Sequence, residues 1–204
     1  MKRPPALTAE HLLDARLFAC GEDLVKALFP SGAHSVCEIG VAFGDFSEFL
    51  IDTLRPEIFV AADLFDHHKP DLASGWSTPE EFQGLTHREY YERRLTRKVP
   101  TLTILEGLSA TTLPTLADES LDMIYIDGAH DYDGVRTDGA LSLRKIKPSG
   151  VLIFNDYVLF DGFRNTPFGV VQAVNEIVTQ TDWRIVGFAL HRDMFCDIAL
   201  KRQS

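Results

Sequence analysis

Short apolar runs recur along the chain, and longer segments of helical character separate them. The runs lie at residues 35–39, 58–62, 102–105, 123–126 and 151–154. They carry few charges, as expected for strands that are buried on both faces of a sheet. The alternation therefore predicts an α/β fold, in which helices join the strands of a parallel sheet and cover both of its faces.

The two ends of the chain carry different patterns. Residues 8–28 place apolar side chains at helical spacing before Pro30-Ser31-Gly32, which predicts an N-terminal helix that covers the sheet. Near the other end, two strand-like runs at 183–190 and 194–200 are separated only by residues 191–193. This is the length of a hairpin loop, so we expect an antiparallel pair at the end of the sheet.

The connection at residues 66–99 is longer than a minimal crossover. Thr78-Pro79-Glu80-Glu81 combines a capping box with proline at the first helical position, which predicts a helix start. The apolar side of this helix would consist of Phe82, Tyr90, Tyr91 and Leu95. Both a lid over a substrate and an ordinary crossover helix with a long entry loop agree with this pattern.

Composition limits the class of protein. A chain of 204 residues suits a single domain, 1–204, in which residues 1–32 form the helical cover. The formal net charge of -10 disfavours a nucleic acid as partner. No apolar run reaches the roughly 18 residues of a membrane helix, and the first residues do not match a signal peptide. Cys20, Cys37 and Cys196 lie far apart in apolar surroundings, so we expect a cytoplasmic protein without disulfides.

A glycine turn follows the first predicted sheet strand in Glu38-Ile39-Gly40-Val41-Ala42-Phe43-Gly44. Glycines let a backbone bend sharply and approach a ligand, and the helix that follows offers free amides. The spacing differs from the dinucleotide fingerprint, and Glu38 would repel a pyrophosphate. The turn therefore favours a ligand with a positively charged end, although a tight turn without any ligand has the same pattern.

Two further strands end in polar residues. Asp63 follows the second apolar run, where a carboxylate can accept hydrogen bonds from ribose hydroxyls; a helix cap is the other interpretation. Glu106-Gly107-Leu108-Ser109 follows the third run, where it could surround a purine ring or form a simple turn.

The fourth and fifth strands end in oxygen-bearing side chains. Asp127 ends one strand and Asn155-Asp156 the next, so we expect the three to converge. Two carboxylates and an amide suit magnesium. His130 is a candidate general base for a substrate hydroxyl, and a structural or positioning role is the alternative.

These motifs together resemble the class I S-adenosylmethionine-dependent methyltransferases. Within that class, Ile126-Asp127-Gly128-Ala129-His130-Asp131-Tyr132 and Asn155-Asp156-Tyr157 are similar to methyltransferase domain family twenty-four, a relative of macrocin-type and catechol-type O-methyltransferases. The resemblance spans about residues 35–200. It implies a Rossmann-like three-layer sandwich with a seven-stranded, mostly parallel sheet whose last strand is antiparallel.

The resemblance also assigns roles to residues. It implies that Glu38 and Gly40 hold the methionine end of the cofactor, Asp63 the ribose, and Gly107 with Ser109 the adenine. His130 and Asp127 are the implied catalytic residues, and Asp127, Asn155 and Asp156 the implied metal ligands, with asparagine at a position where many relatives have an acid. The full set expected to bind S-adenosylmethionine is Glu38, Gly40, Ala42, Phe43, Gly44, Asp63, Leu64, Gly107, Leu108, Ser109, Asp127 and Gly128.

The predicted reaction is methyl transfer to the hydroxyl of a small molecule, assisted by Mg²⁺. An aromatic acceptor is suggested by Trp76, Tyr157, Phe160, Phe163 and Phe168, any of which could instead belong to the core. Two alternatives stay open: an NAD-dependent oxidoreductase and a non-catalytic module that binds S-adenosylmethionine. We expect no membrane partner, and a homo-oligomer is compatible with the sequence.

Overall fold

A computed structural model describes residues 3–69 and 80–203. An eight-stranded sheet forms its centre, and a separate pair of two-residue strands lies near the end of the chain. The strands are β1 (Leu12–Phe18), β2 (Ser35–Ile39), β3 (Ile58–Asp63), β4 (Thr101–Glu106), β5 (Leu121–Ile126), β6 (Ile146–Phe154), β7 (Phe160–Asp161), β8 (Thr166–Pro167), β9 (Trp183–Ala189) and β10 (Asp197–Arg202).

Helices cover both faces of the sheet, as the alternating pattern predicts. They are α1 (Gly21–Leu28), α2 (Asp45–Leu54), α3 (His87–Leu95), α4 (Ser109–Thr112), α5 (Tyr132–Lys145) and α6 (Val170–Gln180), with short 3-10 turns at Ala9–His11 and Leu113–Thr115. No helix of the described residues combines the length and the apolar character that a bilayer crossing requires.

The core is divided into two clusters by the sheet. Successive residues of a strand point to opposite faces, and in β2 the side chain of Val36 packs with α1, α2 and α3 while that of Cys37 packs with α5 and α6. Every residue of β2 is buried. Because both faces of this strand are covered, its sequence is apolar throughout except for Ser35 and Glu38.

The sheet order is β1-β9-β10-β6-β5-β2-β3-β4. The neighbours of β2 are β3 and β5, both parallel to it, so the chain reverses its direction of travel across the sheet at this point. In doubly wound sheets such a reversal opens a crevice at the carboxyl ends of the strands. Here the crevice lies above the glycine turn that follows β2.

The last strand, β10, is antiparallel to both β6 and β9, as predicted. The α/β class with a mostly parallel sheet is therefore confirmed. The connection between β9 and β10 is longer than expected, however, since β9 ends at Ala189 and β10 begins at Asp197. Residues 190–196 form this loop in place of the predicted 191–193.

The predicted helix over residues 8–28 is wrong in its first half. Leu12–Phe18 forms β1, which pairs in parallel with β9 and adds an eighth strand to the expected seven; only Gly21–Leu28 is helical. Leu13 and Phe18 pack against the core, whereas Leu17 is 67% exposed. Because an open sheet edge supplies backbone partners that no local pattern reveals, tertiary pairing overrides the helical spacing.

The helix predicted after Thr78 begins later. Thr78 and Pro79 lie outside the described residues, and turns precede α3, which starts at His87. Its capping box is formed by Thr86 and Glu89: the Thr86 hydroxyl accepts from the Glu89 amide at 3.2 Å, and the Glu89 carboxylate accepts from the Thr86 amide at 2.8 Å.

Candidate active site

The glycine turn after β2 is held by its two neighbouring strands. The Gly40 amide donates to the Ala62 carbonyl at 2.8 Å, and the Asp127 amide donates to the Ile39 carbonyl at 2.8 Å. Gly40 has a φ of +83°, and a Cβ there would collide with the Asp127 carbonyl oxygen. Only glycine therefore fits this position, and the ends of β2, β3 and β5 meet around it.

Gly44 closes the turn and begins α2. It also has a φ of +83°, its amide donates to the Val41 carbonyl at 2.8 Å, and its carbonyl accepts from the Glu48 amide at 3.0 Å. Between the two glycines, Ala42 is exposed and Phe43 stacks on Phe82 with ring centroids 5.0 Å apart. The exposed turn and the first amides of α2 can thus receive a carboxylate.

Glu38 lies beneath this turn. It is 1% exposed and accepts a hydrogen bond from the Ser47 hydroxyl of α2, which in turn accepts one from Tyr91 at 2.8 Å. Burial raises the pKa of the Glu38 carboxyl well above its ordinary value, and the nearby Asp127 and Asp63 raise it further. The structure therefore places Glu38 at the predicted edge but turns its carboxyl into the core, where it anchors α2.

Asp63 lies at the same edge, with its carboxylate fixed by backbone amides. One oxygen accepts from the Val41 amide at 2.7 Å and the other from the Phe65 amide at 2.8 Å. The side chain remains partly exposed. Each carboxylate oxygen has a second lone pair, so the group can still accept hydrogen bonds from a diol.

The end of β4 extends this edge. Asp63 and Glu106 are paired in the sheet, and exposed leucines follow closely on each strand: Leu64 is 49% and Leu108 62% exposed. The Ser109 hydroxyl donates to Asp138, whose buried carboxyl has a pKa raised by desolvation. Leu64 and Leu108 thus offer an apolar surface beside Asp63, whereas the Ser109 proton already has a partner.

His130 lies between two carboxylates. Its Nε2 atom is 3.1 Å from Asp156 Oδ2 and 3.4 Å from Asp127 Oδ1, and its ring stacks on Phe168 with centroids 4.6 Å apart. Burial lowers the pKa of His130, but the two carboxylates outweigh it and raise the pKa to about 9. The imidazole is therefore a cation at neutral pH, paired with both acids.

Asn155 belongs to a different group of side chains. Its amide nitrogen donates to the Tyr125 hydroxyl at 3.1 Å and to Asp197 Oδ1 at 2.8 Å, and Tyr125 donates to Asp197 Oδ2 at 3.2 Å. Burial raises the pKa of the Asp197 carboxyl to about 7. Sequence reasoning missed Asp197 and Tyr125, because their contact joins β5 to a strand 72 residues away.

The predicted magnesium ligands do not form an ion cage. His130 occupies the space between Asp127 and Asp156, and Asn155 points its amide nitrogen at Tyr125 and Asp197. This arrangement of side chains does not support a Mg²⁺ site. Within residues 3–69 and 80–203, the side chains that bring three ligand atoms within 4.8 Å of one another are instead Asp63, His67 and His87.

A pocket of about 460 Å³ adjoins Asp156. Two of its lining residues stack on each other: Phe163, which is 79% exposed, and Phe195, with ring centroids 6.0 Å apart. The lining residues are Asn155, Asp156, Asp161, Phe163, Arg164, His191, Asp193 and Phe195.

The predicted aromatic wall is present only in part. Phe163 lines the pocket and Phe160 is 49% exposed, but Phe168 is buried beneath His130. The Tyr157 hydroxyl donates to Asn175 at 2.5 Å, and Trp76 lies outside the described residues. Phe195 was missed because it lies in the loop that the sequence pattern assigned to a strand.

The fold and this edge define a doubly wound α/β protein with its crevice at the carboxyl ends of β2, β3 and β5. Residues 37–157 match the family described as a methyltransferase domain, which is the family that the sequence motifs resemble. The chain belongs to this family, within the class I S-adenosylmethionine-dependent methyltransferases.

Solved structures share the fold at low sequence identity. The O-methyltransferase TomG from Streptomyces achromogenes, involved in tomaymycin synthesis and solved with S-adenosylmethionine, has a TM-score of 0.63 and 19% identity, covering 90% of this chain and 79% of its own. The O-methyltransferase from Bacillus cereus in complex with S-adenosylhomocysteine has a TM-score of 0.62 and 17% identity, with coverages of 89% and 80%.

An N-methyltransferase has the same fold. NodS from Bradyrhizobium japonicum, solved with S-adenosylhomocysteine, has a TM-score of 0.60 and 15% identity, covering 90% of this chain and 86% of its own. Among curated proteins, y4gI of Sinorhizobium fredii is 26% identical over 149 residues, which are 63% of this chain. The match spans only 16% of the length of y4gI.

Proposed function

We propose that this protein transfers a methyl group from S-adenosylmethionine to a hydroxyl of a small aromatic molecule. One observation carries the proposal: the group Asp127–His130–Asp156 joins the glycine turn to the aromatic pocket. Asp127 is hydrogen-bonded to the turn through its backbone, and Asp156 lines the pocket. Cofactor and acceptor would therefore meet across His130.

The cofactor would lie along the edge formed by β2, β3 and β4. Asp63 would accept hydrogen bonds from the ribose hydroxyls, and the amides at the start of α2 would donate hydrogen bonds to the methionine carboxylate. Leu64 and Leu108 would cover the adenine ring. Glu38 would act indirectly, by holding α2 and the turn through Ser47.

The other predicted cofactor residues would contribute mainly through the backbone. Gly40 and Gly44 allow close approach, Ala42 and Phe43 lie between them, and Gly128 follows Asp127 at the same edge. Gly107 would similarly leave room beside the adenine.

The reaction is an in-line displacement, in which the bond from sulfur to the methyl carbon breaks as the bond from the acceptor oxygen forms. S-adenosylhomocysteine leaves, and the hydroxyl proton must go to a base. Of the acids that line the pocket, Asp156 is the one that contacts His130, so we assign it this proton.

His130 would position the two acids rather than act as the base. Its Nε2 atom faces Asp127 and Asp156, and as a cation it has no lone pair with which to accept a proton. The cation lies against both carboxylates and would offset the repulsion between them. No metal enters this scheme.

A hydroxyl acceptor agrees with a pocket that combines aromatic rings with a carboxylate. A phenol can pack its ring against the exposed Phe163 and present a proton that Asp156 can take. The fold alone does not separate the two reactions, because it is shared with both O- and N-methyltransferases.

Two measurements test the proposal. Calorimetry with S-adenosylhomocysteine should show binding at one site, and mass spectrometry should detect a methylated product from a panel of phenols and catechols incubated with S-adenosylmethionine. Parallel reactions with metal-free protein contain EDTA or added Mg²⁺, and neither should change the rate.

Three outcomes would contradict parts of the scheme. Absence of binding together with a thermal shift on addition of NAD would favour the oxidoreductase. Binding without turnover of any phenol, catechol or amine would favour a non-catalytic module. Loss of activity in EDTA, restored by Mg²⁺, would reinstate the metal mechanism.

A further inference from the structure

Two histidines and one aspartate converge at the end of β3. Asp63 ends this strand, His67 lies in the irregular segment that follows, and His87 is the first residue of α3. Each offers one ligand atom, and the three atoms lie within 4.8 Å of one another. The cluster is separate from Asp127, His130 and Asp156, and the proposed methyl transfer uses only its aspartate.

His87 is buried with one ring nitrogen unsatisfied. Its Nε2 atom is 2.5 Å from the Ala42 carbonyl oxygen, which can only accept, so Nε2 carries the proton and donates it. The Nδ1 atom then has a free lone pair, and no residue that the structure describes forms a hydrogen bond with it. His87 is 0% exposed, so water does not reach this nitrogen.

This arrangement is typical of a metal-binding histidine. Such residues commonly donate their second N–H group to a backbone carbonyl, which fixes the ring and its tautomer. A buried acceptor without a partner costs stability, which a bound ion would restore.

The surroundings favour the neutral imidazole, which is the form that binds metal ions. Phe65 and Phe82 pack around the ring, with centroids 4.9 Å and 5.2 Å away. Burial lowers the pKa of His87; the Ala42 carbonyl and Asp63 oppose this, while His67 and His68 add to it.

We propose that Asp63, His67 and His87 bind a divalent transition-metal ion, with zinc as the best match. Two imidazoles and one carboxylate suit zinc and similar ions, whereas magnesium prefers oxygen ligands alone. Three protein ligands leave a fourth position for water or another small ligand.

The site requires a small adjustment. Ligand atoms around zinc lie roughly 3.3 Å apart, as follows from bond lengths near 2.0–2.1 Å in a tetrahedron. The ligand atoms lie within 4.8 Å of one another, so closing the site needs at most a movement of about 1.5 Å, which the His67 side chain can supply. It belongs to residues 64–69, which form no helix or strand between β3 and residue 70.

Occupancy of this site would affect the cofactor. This consequence rests on the proposed function, which assigns Asp63 to the ribose of S-adenosylmethionine. A carboxylate that binds zinc loses charge and lone pairs for the ribose hydroxyls, so metal and cofactor would compete.

The metal site is tested first, without any cofactor. Apo protein is titrated with Co²⁺, whose visible spectrum reports tetrahedral nitrogen and oxygen ligands, and Zn²⁺ is then added to displace it. The wild type should bind one equivalent, and Mg²⁺ should not compete. His67→Ala should weaken binding by about tenfold or more.

His68→Ala is the matched control, because it removes the neighbouring histidine, which accepts a hydrogen bond from the His87 amide but is not part of the cluster. It should leave the affinity within about twofold of the wild type. His67 is chosen over His87 because its side chain is partly exposed and its loss should not prevent folding. Equal affinity of the wild type and His67→Ala would overturn the site.

Competition is measured separately. The affinity for S-adenosylhomocysteine is determined with and without saturating Zn²⁺, and a decrease that His67→Ala abolishes supports a shared Asp63. If bound zinc does not change the affinity for S-adenosylhomocysteine, the proposed competition is wrong, but the metal site itself is not contradicted. Absence of S-adenosylhomocysteine binding in metal-free protein would instead contradict the proposed function.

Discussion

The two halves of the site are built differently. Around β2 and β3, the groups are held by backbone hydrogen bonds, as in Gly40 to Ala62 and in the two amides that bind Asp63. Around β5 and β6, side chains hold one another, with His130 between Asp127 and Asp156. Backbone geometry suits a ligand that never changes, whereas side chains can be exchanged to suit different acceptors.

The largest expected effect concerns the part of the site around β2 and β3, which backbone hydrogen bonds hold in place. Gly40→Ala should destabilise the protein by about 3 kcal/mol or more, because its φ of +83° is unfavourable and its Cβ would strike the Asp127 carbonyl. Urea unfolding measures the loss.

Gly84→Ala is a matched control for backbone strain. Gly84 has a similar φ of +78°, but a Cβ there meets nothing within 4 Å. It should cost about 1 kcal/mol. Equal losses for the two variants would mean that the contact with Asp127 contributes nothing.

The second largest effect concerns the part of the site around β5 and β6, where side chains hold one another. Asp156→Asn should lower the rate of methyl transfer about 100-fold, since the acceptor proton loses its base, while the affinity for S-adenosylhomocysteine stays unchanged. Steady-state kinetics with a phenol provides the rate.

Asp193→Asn provides the comparison for Asp156, because Asp193 also lines the pocket but pairs with the exposed Arg192 at 3.2 Å. Its rate should remain within about twofold of the wild type. A similar decrease in rate in both variants would indicate that the negative charge of the pocket matters, and not proton transfer to Asp156.

A smaller effect is expected at the ribose position. Asp63→Asn should weaken S-adenosylhomocysteine binding about tenfold, because hydrogen bonds to a charged acceptor are stronger than those to an amide. Calorimetry measures it. Asp66→Asn, in the segment after β3, should bind as the wild type does; a tenfold loss there too would remove the special role of Asp63.

The smallest effect is a pH dependence near Ser109. Burial raises the pKa of Asp138 above its unfolded value, so the folded state holds the proton more tightly. Its contribution to stability is complete below the unfolded pKa near 4 and is lost as the pH rises through the folded pKa. The stability of Asp138→Asn relative to the wild type should therefore increase as the pH rises from 4 to 8.

Urea unfolding at several pH values follows this difference. Asp133→Asn, an exposed change on the same helix, should show a difference from the wild type that does not vary with pH. A pH-independent difference for Asp138→Asn would show that its proton affinity is the same in both states.

Local patterns were sufficient for most of the sheet and for the position of the site. Runs such as 35–39 and 123–126 are apolar because both faces of a central strand are covered, and this leaves a clear signal. Gly40 and Asp63 follow such strands directly, so the topology alone brings them to one edge.

The sequence by itself determined the α/β class, the strand ends that meet at the crevice and the glycines that the turn requires, since each depends on neighbours along the chain. Only the tertiary structure decided that Leu12–Phe18 is an edge strand, that His130 pairs with two acids and that His67 and His87 reach Asp63. These outcomes depend on hydrogen bonds and charges supplied by residues distant in sequence, and no local pattern records which partners the fold will bring within reach.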